Sequence, residues 1–217
     1  MKWGLRMEEL GKRIDQLSNK LTNMRWEIWT KYTLFTWQWW MLVLACAGMV
    51  VLFVVLVRRG NLLKSFAFLG MIYLFNKNLD DVATAMNWYD YRMQLEPIIP
   101  TMLPANLFII PGALTILYER YSDWKSYSIA IGAFAVLVSY MALPLMKQVK
   151  IYTDNAWNGH WSLLSLVAMA AISKLVVDWF VRQQSRESNE HRDPHEREIH
   201  VLYTSPSLFS RRKGSVK

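Results

Sequence analysis

Asn76, Lys77, Asp80, Asp81 and Asn87 place two carboxylates, one ammonium and two amides within a single short stretch of the chain. Such groups bind cations or relay protons when a bilayer strips water from them. An ionisable side chain at membrane depth costs roughly 2.5–3.5 kcal/mol on insertion scales and survives there in a pair or along a pathway. Lys77 comes three and four residues before Asp80 and Asp81, so a neutralising pair is available on one helix. Asp90 and Arg92 follow soon after, and the plainer alternative is a stretch that has left the membrane and is solvated. Lys174 and Asp178 form a second pair, four residues apart inside an apolar run and therefore on one helix face. They read as an interface-level ion pair, with a proton or ion relay as the alternative.

The remaining candidates carry less chemistry. His191, Asp193, His195, Glu196 and His200 have the side chains of a metal site but not its spacing. A zincin helix needs H-E-x-x-H, whereas His195-Glu196 is followed by His200, and Pro194 interrupts any helix joining His191 to His195. This run reads as a solvated charged tail. The single cysteine, Cys46, excludes an internal disulfide framework and a cysteine zinc site. There is no Gly-rich phosphate loop and no G-x-S-x-G elbow. The expectation is a protein with no catalytic residues, no cofactor and no metal. The basic residues are scattered or juxtamembrane, which gives no stripe for nucleic acid.

These candidates need elements to hold them, and composition says which. The chain has 217 residues, 53% of them apolar, with 11 Trp and 12 Met. The apolar residues collect in long blocks rather than spreading at helix or strand period, as a membrane protein requires. Residues 1–32 carry seven basic and four acidic groups, residues 33–181 ten and eight, and residues 182–217 eight and five. The polar ends therefore flank an apolar middle, and the net charge of +8 fits anionic lipid headgroups.

Thr33 to Val57 runs without a charge to Arg58-Arg59 and is entered through Trp37, Trp39 and Trp40. A helix needs about 20 such residues to cross a bilayer, and a cleaved signal peptide would have a shorter apolar core nearer the start. Ser126 to Met146 and Trp161 to Val181 read as further spans. The uncharged run between Glu96 and Glu119 contains Pro97, Pro100, Pro104 and Pro111. Its first half should be extended or broken, with regular helix from about Pro104 or Ala105 and a kink near Pro111. Asn61 to Met93 contains no proline and reads as one long helix, spanning at first and amphipathic later, with Lys77, Asp80, Asp81, Thr84, Trp88 and Tyr91 on one face. The expected fold class is all-α, a polytopic bundle of about five transmembrane helices with four as the fallback. The spans fall near 33–57, 62–87, 97–120, 126–147 and 161–181, after an amphipathic helix over 1–32 and before a charged tail over 182–217. Basic residues favour an external N-terminus and an internal C-terminus in a bacterial plasma membrane.

Met7, Leu10, Ile14, Leu17, Leu21, Met24 and Ile28 alternate three- and four-residue spacing over three heptads. That is the seam of a coiled coil and predicts a homo-oligomer through residues 7–28. An amphipathic helix lying on the lipid surface is the alternative, supported by the basic excess of this segment and by Trp26 and Trp29.

Trp88-Tyr89-x-Tyr91, then Glu96-Pro97-x-x-Pro100-x-x-x-Pro104-x-Asn106, Pro111, Tyr118-Glu119-Arg120-Tyr121 and Trp124-Lys125 form a recurrent pattern. Over about residues 60–180 the chain resembles an uncharacterised family of small multi-pass membrane proteins from endospore-forming bacilli and clostridia. The resemblance implies a membrane location and a link to sporulation, and it carries no catalytic residues. The functional expectation is action through protein contacts or self-interaction. The alternative is a small transporter or channel subunit using Asp80, Asp81, Lys174 and Asp178.

Overall fold

The seven seam positions lie on one continuous helix, α1 (Lys2–Ile28), in a computed structural model that describes residues 2–57, 59–99 and 101–190. Glu8–Lys12, Glu9–Arg13 and Glu27–Lys31 pair at four-residue spacing along it and its continuation. A wide π turn (Trp29–Thr33) then leads to Phe35, whose left-handed φ of 59° lies between the turn and the first span. The first span, α2 (Trp37–Leu56), begins four residues later than the uncharged run does because Thr36 stops the chain in extended geometry and caps the Trp39 N–H at 3.4 Å.

α3 (Leu62–Ala85) is shorter than the expected helix through Met93. The correction lies in Asn87, which takes a left-handed φ of 55°. The Trp88 N–H then donates to the Ala83 carbonyl at 2.9 Å and the Asn87 N–H to that of Thr84 at 3.1 Å. These are the two bonds of a Schellman stop. Trp88 and Tyr91 therefore leave the helix face on which the sequence spacing placed them. Tyr89–Tyr91 instead forms a strand, β1, paired antiparallel with β2 (Tyr152–Asp154), Tyr89 opposite Asp154 and Tyr91 opposite Tyr152. This small sheet was absent from the all-α expectation, although the chain is otherwise mostly helical. The Trp88 carbonyl secures it by accepting the Asn155, Ala156 and Trp157 N–H groups at 2.9, 2.9 and 3.2 Å.

The proline-punctuated run behaves as its sequence dictates. Glu96 folds its carboxylate onto the N–H groups of Ile98 and Ile99 at 2.7 and 3.1 Å. Helical structure starts at Pro104 with a π turn (Pro104–Ile109) and continues as α4 (Ile110–Arg120). The wide turn comes immediately before Pro111, where the ring forbids an ordinary i→i−4 bond. The same device recurs between α5 (Trp124–Leu137) and α6 (Leu143–Gln148), where a π turn (Val138–Ala142) precedes Pro144. α7 (Gly159–Glu190) continues past Val181, where the apolar run ends.

Two units are distinguished, residues 1–175 and 176–217, and of the second the described residues 176–190 are helical. In the first unit α3 and α4 run antiparallel. Phe68 stacks on Tyr118 at 4.1 Å, Ser65 hydrogen-bonds Glu119, and Asn76 reaches Asn106 at 2.6 Å. A Cβ on Gly112 would stand 2.9 Å from Met49 Cγ, so a missing side chain sets the approach of α4 to α2. Among the described residues three helices are long and apolar enough to cross a membrane: Trp37–Leu56, Trp124–Gln148 and Gly159–Glu187, with mean hydropathies of 2.6, 2.1 and 1.8. α3 carries Lys64, Lys77, Asp80 and Asp81, and α4 is only 11 residues long, so neither joins them on those grounds.

Candidate functional site

The sheet closes over the end of α3, and Asp80 lies beneath it. Asp80 is 3% exposed, and its carboxylate accepts from both tyrosines of β1, Tyr89 at 2.7 Å and Tyr91 at 3.0 Å. The Met102 N–H donates from the irregular segment at 3.4 Å, and the Asn106 amide from the following π turn completes the set. Asn106 is in turn held by the Asn76 amide. Both carboxylate oxygens thus receive two donors, and every donor is neutral. Burial and the neighbouring Asp80 charge push the Tyr89 and Tyr91 phenols far above their ordinary pKa. Each therefore keeps the proton it donates. Burial, with Asp154 beside it, does the same for Tyr152.

A cavity of about 70 Å³ opens against this cluster, bounded by Asn76, Asp80, Tyr91, Asn106, Trp157 and Ser165 among others. A water needs roughly 10–15 Å³ by this measure, so the space takes several waters or one small head group. Chemically, the arrangement can hold an ionised carboxylate out of water on dipoles alone, and it can present aromatic faces and hydroxyl oxygens to a guest.

The other sequence candidates disperse. Lys77 pairs with Asp81, four residues on, at the exposed side of α3. Asn87 is the α3 stop, and its carbonyl and side-chain oxygens accept from Asn155 at 3.1 and 3.0 Å. Lys174 is 2% exposed and donates to the Ser122 carbonyl at 3.0 Å. Its ammonium stands 4.8, 5.3 and 4.9 Å from the ring centres of Tyr118, Trp124 and Tyr127. Desolvated ammonium groups over such faces gain about 2 kcal/mol. Because Ser65 meets Glu119 and Asp80 meets Asn106, the Lys174 cage and the Asp80 site sit at opposite ends of α3. Fifteen residues of helix separate Ser65 from Asp80, about 22 Å. Asp178 belongs to the second unit. His191, Asp193, His195, Glu196 and His200 lie outside the described residues. Among the described residues no group of three metal-type ligands gathers.

The seam residues of α1 are all exposed, from 76% at Met7 to 41% at Ile28. Leu21, Met24 and Ile28 also border a groove of about 140 Å³ whose far wall is Asp90, Tyr91, Arg92, Gln94 and Pro97.

Reading the sequence missed Tyr89, Tyr91, Asn106, Tyr152 and Trp157, and the cage of Tyr118, Trp124 and Tyr127. Tyr89 and Tyr91 stand two residues apart, as residues on one face of a strand do, but a single such step sets no period. The chain matches no protein-family model, no curated protein and no solved structure.

Proposed function

We propose that this chain is a non-enzymatic integral membrane protein that acts by self-association through α1. The observation that carries the proposal is the exposure of the whole seam, Met7 through Ile28, while Glu8 and Glu9 beside it pair with Lys12 and Arg13 within the helix. A two-per-heptad stripe is narrower than the apolar face of a helix that lies in lipid, and it matches the width of a coiled-coil seam. Over residues 7–28 the polar face balances Glu8, Glu9, Asp15 and Glu27 against Lys12, Arg13, Lys20 and Arg25, and the basic excess of residues 1–32 lies outside the seam, at Lys2, Arg6 and Lys31. A surface helix drawn to anionic lipid would carry basic residues there instead. The partner is a second copy of α1, with the membrane bundle supplying the local concentration that a three-heptad seam needs.

Leu17→Glu tests this, because it places a carboxylate where a leucine should fill a hole, and burying an unpaired charge costs several kcal/mol. In-membrane crosslinking should show wild-type oligomers and monomeric Leu17→Glu. Equal oligomer distributions for the two proteins would exclude the coiled coil and leave α1 as a surface helix.

The location belongs to the same proposal. Five crossings in a bacterial plasma membrane, with an external N-terminus, put Arg58, Arg59, Lys64, Arg120 and Lys125 on the cytoplasmic side. A role in sporulating cells rests on the family resemblance. Gly60→Cys in a Cys46→Ser background should resist an impermeant thiol reagent added to intact cells, and labelling there would invert the topology.

A transport or channel role is the second reading, favoured by the buried Asp80 and its cavity. Uptake into vesicles that is abolished by Asp80→Asn would replace the first reading with this one.

A further inference from the structure

We propose that the cavity beside Asp80 and the apolar groove adjoining it form one binding site for a lipophilic ammonium, an alkyl or aryl chain ending in a cationic nitrogen. The Asp80 carboxylate is buried, and its donors, Tyr89, Tyr91, Asn106 and the Met102 N–H, bring no formal positive charge. The only nearby ammonium on α3, Lys77, is engaged with Asp81. A buried carboxylate without a countercharge is costly to ionise, and a cation alongside it relieves that cost.

The walls suit a cation as well. Tyr89, Tyr91, Tyr152 and Trp157 line the cavity. Ring faces attract ammonium groups, and a phenol that donates to a carboxylate is polarised so that its oxygen becomes a stronger acceptor. The tail has its own place. A groove of about 490 Å³ shares Leu79, Trp157 and Ser165 with the cavity and is otherwise walled by Trp88, Trp161 and Ala168 with their neighbours. That volume is typical of pockets that take drug-sized ligands. A simple amine fits better than a phospholipid headgroup. The headgroup's phosphate would arrive beside Asp80, and among the described residues no basic side chain lines either space.

The inference does not depend on self-association of α1 or on transport, because it is tested by equilibrium binding rather than by crosslinking or flux. The full chain in phosphatidylcholine nanodiscs is titrated with n-octylammonium chloride, with n-octanol as the uncharged control of equal chain length. Thermal unfolding and tryptophan fluorescence report binding. Octylammonium should raise the Tm saturably and octanol should not. Asp80→Asn should remove that difference. Ala168→Phe, at an exposed wall position, should fill the groove and weaken binding at least tenfold with the unliganded Tm unchanged. Equal responses to the amine and the alcohol would overturn the site, as would undiminished binding by Ala168→Phe, a result that stands even if Asp80→Asn fails to fold. Loss of octylammonium binding in phosphatidylethanolamine nanodiscs would overturn the simple amine in favour of a lipid headgroup.

Discussion

Trp29 and Trp39 donate their indole N–H groups to one acceptor, the Leu95 carbonyl, each at 3.1 Å. One tryptophan lies in the turn after α1 and the other in the first turn of α2, so a single oxygen in the proline-rich segment ties both to the sheet end of the bundle. A carbonyl has two lone pairs, and here both are used.

This sharing predicts unequal steps. Trp29→Phe or Trp39→Phe alone should cost about 0.5–1.5 kcal/mol, since the carbonyl keeps one donor. The double variant should cost more than the sum, by roughly 1 kcal/mol, because the half-buried oxygen is then left without either indole. Reversible unfolding in mixed micelles, run as a double-mutant cycle, measures the excess.

The carboxylate–amide contact between Asp80 and Asn106 predicts a rescue. Asp80→Asn turns an amide NH2 toward donors where a carboxylate oxygen accepted, and a loss of about 2–3 kcal/mol is expected. Adding Asn106→Asp restores one donor and one acceptor across the contact and should recover part of that loss. Unfolding of the single and double variants decides it, and no recovery would mean that the donors from Tyr89 and Tyr91 dominate.

Lys174 is expected to matter through both its stem and its charge. Lys174→Met keeps the packing of the stem but loses the ring contacts and the bond to Ser122, at a cost of roughly 2–4 kcal/mol. Lys174→Ala should cost more, because it also opens a cavity. Tm values for the two variants in the same detergent test the order.

Asp123 caps α5 by accepting the Ser126 N–H at 2.7 Å, and that bond holds its carboxyl below the ordinary carboxylate pKa. A depressed folded-state pKa means that the stabilisation is present above the unfolded value and is lost as the pH falls through the folded one. Asn at this position caps without titrating. The stability gap between wild type and Asp123→Asn should therefore be widest near neutral pH and close as the solution is acidified below the carboxylate range. Thermal scans at neutral and strongly acidic pH measure it.

The long apolar elements were legible because their signal is local and repeated. Twenty-five uncharged residues ending at Arg58-Arg59 leave little choice but a helix, and seven seam residues at heptad spacing fix the face of α1. Pro104 likewise announced where helix would resume. The Asp80 site was half legible. Its carboxylate stood out by type, but its donors come from a strand, an irregular segment and a separate helical turn. Three-residue strands such as β1 and β2 offer no period to count, and their pairing is fixed by contacts distant in sequence. Asn87 misled for a related reason: an amide looks like a ligand until its left-handed φ shows it to be a stop.

The wide turn before Pro111 also sets a phase. An extra residue in one turn rotates everything beyond it by about 100° relative to an unbroken α-helix. Along this segment Asn106, Pro111, Thr115 and Tyr118, four of its seven buried positions, are separated by five, four and three residues. The five-residue step falls at the π turn, so the insertion lets the amide that meets Asp80 share a face with the tyrosine that meets Phe68. Proline here works as a dial. It offsets the two halves of one rod by a fixed angle, and each half then addresses its own end of α3.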